Sequence, residues 1–485
     1  MKIYIKWMLF GAIAMLVTSC KLGKAYVRPD MTLPDQFAGA REGIDSVPAD
    51  TFSLADMQWW EIYGDTTLQG LIRQALNQNK DLLAASAKIK ELAALRRVDL
   101  SKLAPQIDGK LYADKDAENY GGNHYKSSPE LTAKFLLSWE LDLWGNLRWG
   151  AERSKAQLLQ SMENKRALQV SLVAQVAQSY FELVALDNEL FIVRQTLRAR
   201  EEGVRLAKIR FEGGLTSETS YQQAQVELAR TATLVPGLER SITMKENEIA
   251  LLTGTFPRNI VRNRDNILRT DESASTMPLL ALKDTTDLFG RAPETLPVGL
   301  SSALMERRPD VRAAERSLMA ANAEVGVAFT NLFPRISLTA QYGLESDEIR
   351  NLLQSPAHFL SANLLQPIFA MGRNRAQLKA KKAAYEQSVY QYEKQVITAF
   401  KEVSDAIVSY NKSNEVFEAR QKLERASFSN NKLANLQYLN GYINYLDVLD
   451  AQRGYFDAQV GLSNALRDRQ LALVQLYKAL GGGWE

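Results

Sequence analysis

Cysteine occurs once in 485 residues, at Cys20, and histidine only at His124 and His358. A disulfide within one chain is therefore excluded, and so is a cysteine-rich zinc centre. Two isolated histidines leave little material for histidine acid–base work or metal catalysis. No G-x-x-x-x-G-K-[ST] loop is present to cradle a nucleotide phosphate. Glu140 and Asp142 stand two apart on a predicted strand, so they share a face without forming an acid–base pair. Methionines form no cluster that reads as a soft-metal path. Charge of one sign is also lacking: 59 basic residues face 56 acidic ones, too even a balance for a nucleic-acid surface. An enzyme is accordingly the weakest reading of the chain.

A long apolar run is missing as well. The greasiest stretch, Trp7 to Val17, is shorter than the roughly twenty residues that a spanning helix requires. Lys2 and Lys6 at its start, and Thr18 and Ser19 at its end, give it the layout of a secretory signal over residues 1–19. Val17-Thr18-Ser19-Cys20 resembles a bacterial lipobox, which makes Cys20 the expected acylation site and the covalent lipid the only non-protein group expected. Several acyl chains would hold a membrane where one holds only reversibly.

What is present is a repeat. Residues 209–228 lie over 436–455, with Gly214 on Gly441, Ala224 on Ala451 and Gln225 on Gln452. The same shift of 227 sets "GNLR" at 145–148 over "GRNR" at 372–375. Nearer the start of each half the shift is 229, which sets "SKLAPQI" at 101–107 over "TNLFPRI" at 330–336. Paired breaks of this kind mark two structural units, each packing a face that the other completes.

Each half has one plan. A helical run comes first, over 68–104 and over 302–332, stopped by Pro105 and Pro334. A strand pair follows. Ile107, Gly109, Leu111 and Ala113 alternate, a polar stretch at 115–130 turns the chain, and Phe135, Leu137, Trp139 and Leu141 return on one parity. The second pair starts at Ile336 and returns through 358–369, where Pro367 suits a strand end or bend. Alternation with aromatic ends resembles outer-membrane strands. Four strands cannot close a barrel, and open edges cannot sit in hydrocarbon. If the strands span a membrane, several chains must share one barrel.

Two long runs come next. Residues 146–210 and 373–438 contain no proline, and helices of that length would extend roughly 100 Å, more than a globular core needs. Turn patches at 212–217 and 439–444 end them, and return helices are expected over 218–253 and 445–480. The predicted divisions are a signal at 1–19, an extended lipid-anchored segment at 20–55, a first repeat at 56–254, an irregular equatorial segment at 255–300 and a second repeat at 301–485.

Six phrases in order carry a resemblance: "WELDLWG" at 139–145, "RRPDVRAAE" at 307–315, "NLFPRISL" at 331–338, "QPIFAMGRNRAQL" at 366–378, "YLDVLDAQR" at 445–453 and "LYKALGGGW" at 476–484. They resemble the outer-membrane efflux protein family, the TolC-like channel tunnels, and within it the lipoprotein branch paired with resistance-nodulation-division pumps. The resemblance implies a mostly α chain that trimerises, four strands from each copy closing a twelve-stranded membrane β-barrel above a long periplasmic α-helical barrel. It implies a periplasmic adaptor protein and an inner-membrane transporter as partners, the transporter supplying the energy. It also carries over a periplasmic gate onto Leu446, Asp450 and Arg453, which recur at i, i+4 and i+7 on one helix face. Asp450 and Arg453 are expected to pair within or between chains, with Asp447 and Asp457 as further lumen charges. Gly213, Gly214, Leu215, Asn440, Gly441 and Tyr442 form the turns expected to meet the adaptor. A periplasmic coiled-coil lipoprotein without a channel is the alternative.

Overall fold

The computed structural model describes residues 21–34, 37, 65–118, 126–262 and 304–482. Cys20, the expected signal and residues 263–300 of the expected equatorial segment lie outside these. Along the chain run α1 (Thr66–Gln78), α2 (Lys80–Ser101), β1 (Gln106–Glu118), β2 (Lys126–Leu141), α3 (Asn146–Glu212), α4 (Glu218–Ala232) and α5 (Leu234–Leu252). The second half supplies α6 (Leu304–Arg307), α7 (Pro309–Thr330), β3 (Arg335–Ser346), β4 (Pro356–Leu365), α8 (Arg373–Leu439) and α9 (Tyr445–Ala479).

The repeat survives in detail. Helices α2 and α7 each have 22 residues and α3 and α8 each have 67, at the offsets read from the sequence. Gly145, Gly214 and Gly254 take positive φ, and so do their counterparts Gly372, Gly441 and Gly481. At Gly214 the Leu215 N–H donates to the Arg210 carbonyl and the Gly214 N–H to Phe211. At Gly441 the Tyr442 N–H donates to Gln437 and the Gly441 N–H to Tyr438. Both are Schellman caps, which need a left-handed residue that glycine adopts without steric cost.

Three expected continuous helices are broken, the run at 302–332 at Arg308, between α6 and α7. The run at 68–104 divides at Asn79, whose side chain accepts from the Leu82 N–H at 3.0 Å and donates to the Leu252 carbonyl at 2.9 Å. An asparagine that serves as a cap can end one helix and start the next without glycine or proline. The run at 218–253 divides at Thr233. Pro236, three residues on, has no N–H to give the Ala232 carbonyl, so the ladder is interrupted there. Its counterpart α9 has no proline and runs unbroken for 35 residues.

The described residues within 21–31, 86–164 and 310–395 form one compact unit, and those within 32–85, 165–309 and 396–482 a second; each draws on both halves of the repeat. The first holds the sheet. The second holds a core of Leu68, Ile72, Val176, Leu183, Ile249, Val403, Val474 and Leu476, all essentially inaccessible. Asp65 caps α1 by accepting from Thr67 and Leu68, and the Tyr180 hydroxyl donates to it at 2.5 Å. Among the described residues no helix is long and apolar enough to cross a membrane.

Candidate functional site

The sheet is antiparallel in the order β1-β2-β3-β4, so the outer edges of β1 and β4 are unpaired among the described residues. The register sorts its side chains by chemistry. Ile107, Leu111 and Ala113 stand opposite Leu137, Ala133 and Leu131. Leu137, Phe135 and Trp139 stand in turn opposite Ala340, Tyr342 and Leu338, and those opposite Leu360, His358 and Ala362. Directly opposed residues share a face, so one side of all four strands is almost wholly apolar. The other side carries Asp108, Lys110, Lys134, Thr132, Gln341, Glu345, Ser361 and Asn363. On it Lys134 pairs with Glu345 across β2 and β3.

The apolar face is not a core. Leu111 is 88 % exposed, and Phe135, Tyr342 and Leu360 are also largely uncovered. An amphipathic sheet with a bare greasy side and two open edges suits a bilayer, provided the edges are closed by further strands. Strands β1 and β2 are longer than expected: Lys115–Glu118 pair with Lys126–Pro129, inside the stretch read as turn. The second hairpin is two residues shorter, and this takes the repeat shift from 229 to 227.

In the same unit the chain just after Cys20 is held against α3. The Lys21 ammonium lies 3.2 Å from the centre of the Trp149 ring and pairs with Glu152. The Trp149 indole N–H donates to the Leu22 carbonyl at 2.7 Å. Further along, the Arg28 guanidinium grips Glu315 with bonds of 2.7 and 2.9 Å.

The expected gate residues lie in the second unit. Leu446, Asp450, Arg453 and Asp457 are exposed along one face of α9, whose opposite face buries Tyr445, Val448 and Leu449 against Ala207 and Ala224. Asp447 has a local task, since its carboxylate accepts from the Asn444 N–H and completes a capping box at the start of α9. All six turn residues are exposed: Gly213, Gly214 and Leu215 after α3, and Asn440, Gly441 and Tyr442 after α8.

Arg453 does not pair with Asp450 within the chain. It donates to the Glu227 carboxylate of α4 at 2.7 Å. Glu227 is only 2 % exposed and is met also by Arg200 of α3 at 3.1 Å and by Arg230 at 3.2 Å. Arg200 further donates to the Glu227 carbonyl and to the Thr231 hydroxyl. Burial alone would raise the Glu227 carboxyl, but the Arg453 hydrogen bond and the three guanidinium charges hold it below its ordinary value. Burial dominates at Arg200, which is lowered. One carboxylate thus ties α3, α4 and α9 together. The sequence offered no signal for it, because position 227 corresponds in the repeat to Gly454, which has no charge.

The comparisons agree with this architecture. The outer membrane efflux protein family matches residues 71–255 and 300–482. The cation efflux system protein CusC of Escherichia coli O157:H7 is 30% identical over 479 residues, 98% of each chain. Outer membrane protein OprJ of Pseudomonas aeruginosa is 31% identical over 491 residues, 98% of this chain and 96% of its own. The solved structure of the outer-membrane channel OprN superposes with a TM-score of 0.80 at 29% identity, over 94% of this chain and 99% of that one. A four-stranded sheet with two open edges, joined to paired 67-residue helices, is the protomer of a trimeric channel tunnel whose copies share a twelve-stranded barrel. The chain belongs to the outer membrane efflux protein family and is an outer-membrane efflux channel.

Proposed function

We propose that this passive channel is closed at its periplasmic end by the Leu446, Asp450 and Arg453 stripe of α9 and opens when an adaptor seats on the turns at 213–215 and 440–442. The channel would take cargo from an inner-membrane resistance-nodulation-division transporter, which supplies both the energy and the choice of cargo. The observation that carries the reading is the exposed stripe itself: on a helix whose other face is buried, a leucine, a carboxylate and a guanidinium stay uncovered in the single chain. Three-fold repetition would crowd three Asp450 carboxylates at one mouth, where they repel unless a cation or an arginine answers them. Asp457 would add a second ring of carboxylates further along α9, while Asp447 stays with its cap.

Cys20 would carry the lipid anchor. The lipobox-like Val17-Thr18-Ser19-Cys20 supports this, and so does the clamp of Lys21 and Leu22 on Trp149, which fixes the chain one residue after the acylated position. Residues 255–300 would complete an equatorial girdle between the two repeats. The test of the gate is single-channel conductance of the purified trimer in a planar bilayer. The Asp450→Ala/Arg453→Ala variant is expected to conduct several-fold more than the unmodified channel; equal conductance would remove the stripe from the gate.

A further inference from the structure

The charges of the sheet are sorted between its two sides. Among the described side chains of the strands, the carboxylates of Asp108, Asp114, Glu130, Glu140 and Glu345 all stand on the polar side. The apolar side carries no carboxylate among these side chains, and its basic groups are Lys115 of β1 and His358 of β4, both exposed. Each ends the apolar series of its strand. Ile107, Leu111 and Ala113 lead to Lys115, and Leu364, Ala362 and Leu360 lead to His358. Both lie toward the hairpin turns and away from the helices, which is the exterior end of an outer-membrane channel. Lys115 stands nine residues beyond Gln106, where β1 starts. At about 3.3 Å per residue on a strand tilted by about 40°, that is about 23 Å along the membrane normal, near the top of an apolar band of about 25 Å.

The repeat brings these two residues together. Strand β1 maps onto β3 at an offset of 229, and β2 onto β4 at 227, because both hairpin registers are reproduced under those shifts. His358 therefore corresponds to Leu131, and Lys115 to Leu344. Within the chain these leucines are diagonal neighbours across the β2–β3 seam, since Leu131 opposes Ser346 and Ala133 opposes Leu344. In the shared barrel the equivalent seam lies between β4 of one copy and β1 of the next. There, in the same register, His358 is the diagonal neighbour of Lys115 of the partner subunit. A pair of leucines at the seam within each chain is thus replaced by a pair of basic groups at each seam between chains.

We infer that this basic pair binds the phosphate of an outer-leaflet lipid, one lipid at each seam between copies. A charge on a lipid-facing surface is tolerated at the headgroup level and needs a counter-charge there. No described strand carboxylate shares the face, so the lipid must supply it. Diagonal neighbours about 7–8 Å apart leave a gap that one phosphate can fill while bonded to both. Lysine meets phosphate as a point charge, and a histidine N–H donates in either charge state. Tyr342, opposite His358 and 69 % exposed, adds a hydroxyl on the same face. The β3–β4 turn sets Asp347 and Glu348 beside Arg350, so it offers no net positive charge to compete. Below the pair the seam is greasy and bare. Leu360 is 80 % exposed and Leu364 61 %, which gives acyl chains a surface to lie on and favours a lipid over free phosphate.

The test is native mass spectrometry of the full-length trimer in mild detergent, with bisphosphorylated lipid A added as the probe. One bound lipid per copy is expected, and dephosphorylated lipid A at the same concentration should be retained about tenfold less. Lys115→Gln/His358→Gln should lower retention of the phosphorylated lipid by about the same factor. Lys110→Gln, on the polar side, should retain as much as the unmodified trimer. An excess of inorganic phosphate should leave the lipid in place; displacement would make free phosphate the ligand and overturn the lipid. Equal retention of the two lipid A forms by the unmodified trimer would overturn the site, whether or not the double variant assembles. An equal loss in Lys110→Gln would assign the effect to net charge and overturn the site as well. A chain that runs only as a monomer before lipid is added would instead contradict the shared barrel.

Discussion

Removing the Glu227 carboxylate is the most informative single perturbation of the helical unit. The Arg200 side chain is 8 % exposed and that of Glu227 3 %. Deleting one partner of a buried pair strands the other charge and costs about 3–5 kcal/mol. The Arg453 and Arg230 side chains are 44% and 66% exposed, so their contacts add at most about 1 kcal/mol each. Glu227→Ala should therefore loosen α4 from α3 by the buried term, and α9 from both by no more than the exposed Arg453 contact. Amide hydrogen exchange over residues 220–232 of α4, in detergent-solubilised trimer, should then quicken roughly a hundredfold to a few thousandfold, at 1.4 kcal/mol per decade. A second variant separates the stranded charge from the lost tie. Glu227→Met/Arg200→Met leaves no orphan and should recover most of the protection. Unchanged exchange in Glu227→Ala would refute the claim that this carboxylate holds α4 to α3.

Further outcomes follow from other contacts. The Glu227 carboxyl lies below its ordinary value of 4.5, so its stabilisation is complete above that pH and is lost as the pH falls through the lowered folded value. After correction for intrinsic exchange rates, protection of α4 should hold from pH 7 to about 4.5 and then decline, an acid limb that Glu227→Gln lacks. Gly441→Ala and Gly214→Ala meet no steric obstacle, yet force a left-handed φ on alanine and should each cost about 1–2 kcal/mol. Gly150→Ala, in mid-helix and equally unobstructed, should instead raise the melting temperature slightly. Gly326→Ala would place a methyl 2.3 Å from the Trp149 ring and should cost about 1–3 kcal/mol, releasing the indole bond to Leu22 as a change in tryptophan fluorescence.

Much of the architecture was legible because the repeat and the strand parity are written in backbone-demanding residues. Pro105 and Pro334, and Gly214 and Gly441, fixed where the elements stop, and the alternation from Ile107 to Ala113 fixed which face is greasy. Four strands with two open edges then required further copies, an argument from hydrogen bonding alone. The breaks at Asn79 and Thr233 were not legible. An asparagine within a helical pattern gives no sign of whether it caps until its distant partner, here the Leu252 carbonyl, is known. Pro236 was available as a signal for the second break. The Glu227 cluster was hidden for a related reason: Arg200, Glu227 and Arg453 belong to three helices, and each alone reads as a solvated charge on a helix face. The spacing of Leu446, Asp450 and Arg453 sets them on one face of α9, but it carries no sign that Arg453 reaches Glu227 of another helix.

The claim on which the rest depends is that one side of this sheet meets lipid and the other meets water. Spin labels placed singly at Leu111, Phe135, Tyr342 and Leu360, and at Lys110, Lys134, Gln341 and Ser361, test it by power saturation in reconstituted bilayers. The first four should be relaxed by oxygen and shielded from a water-soluble nickel chelate, and the second four the reverse. Equal access of both sets to the chelate would mean that the sheet does not line a membrane channel.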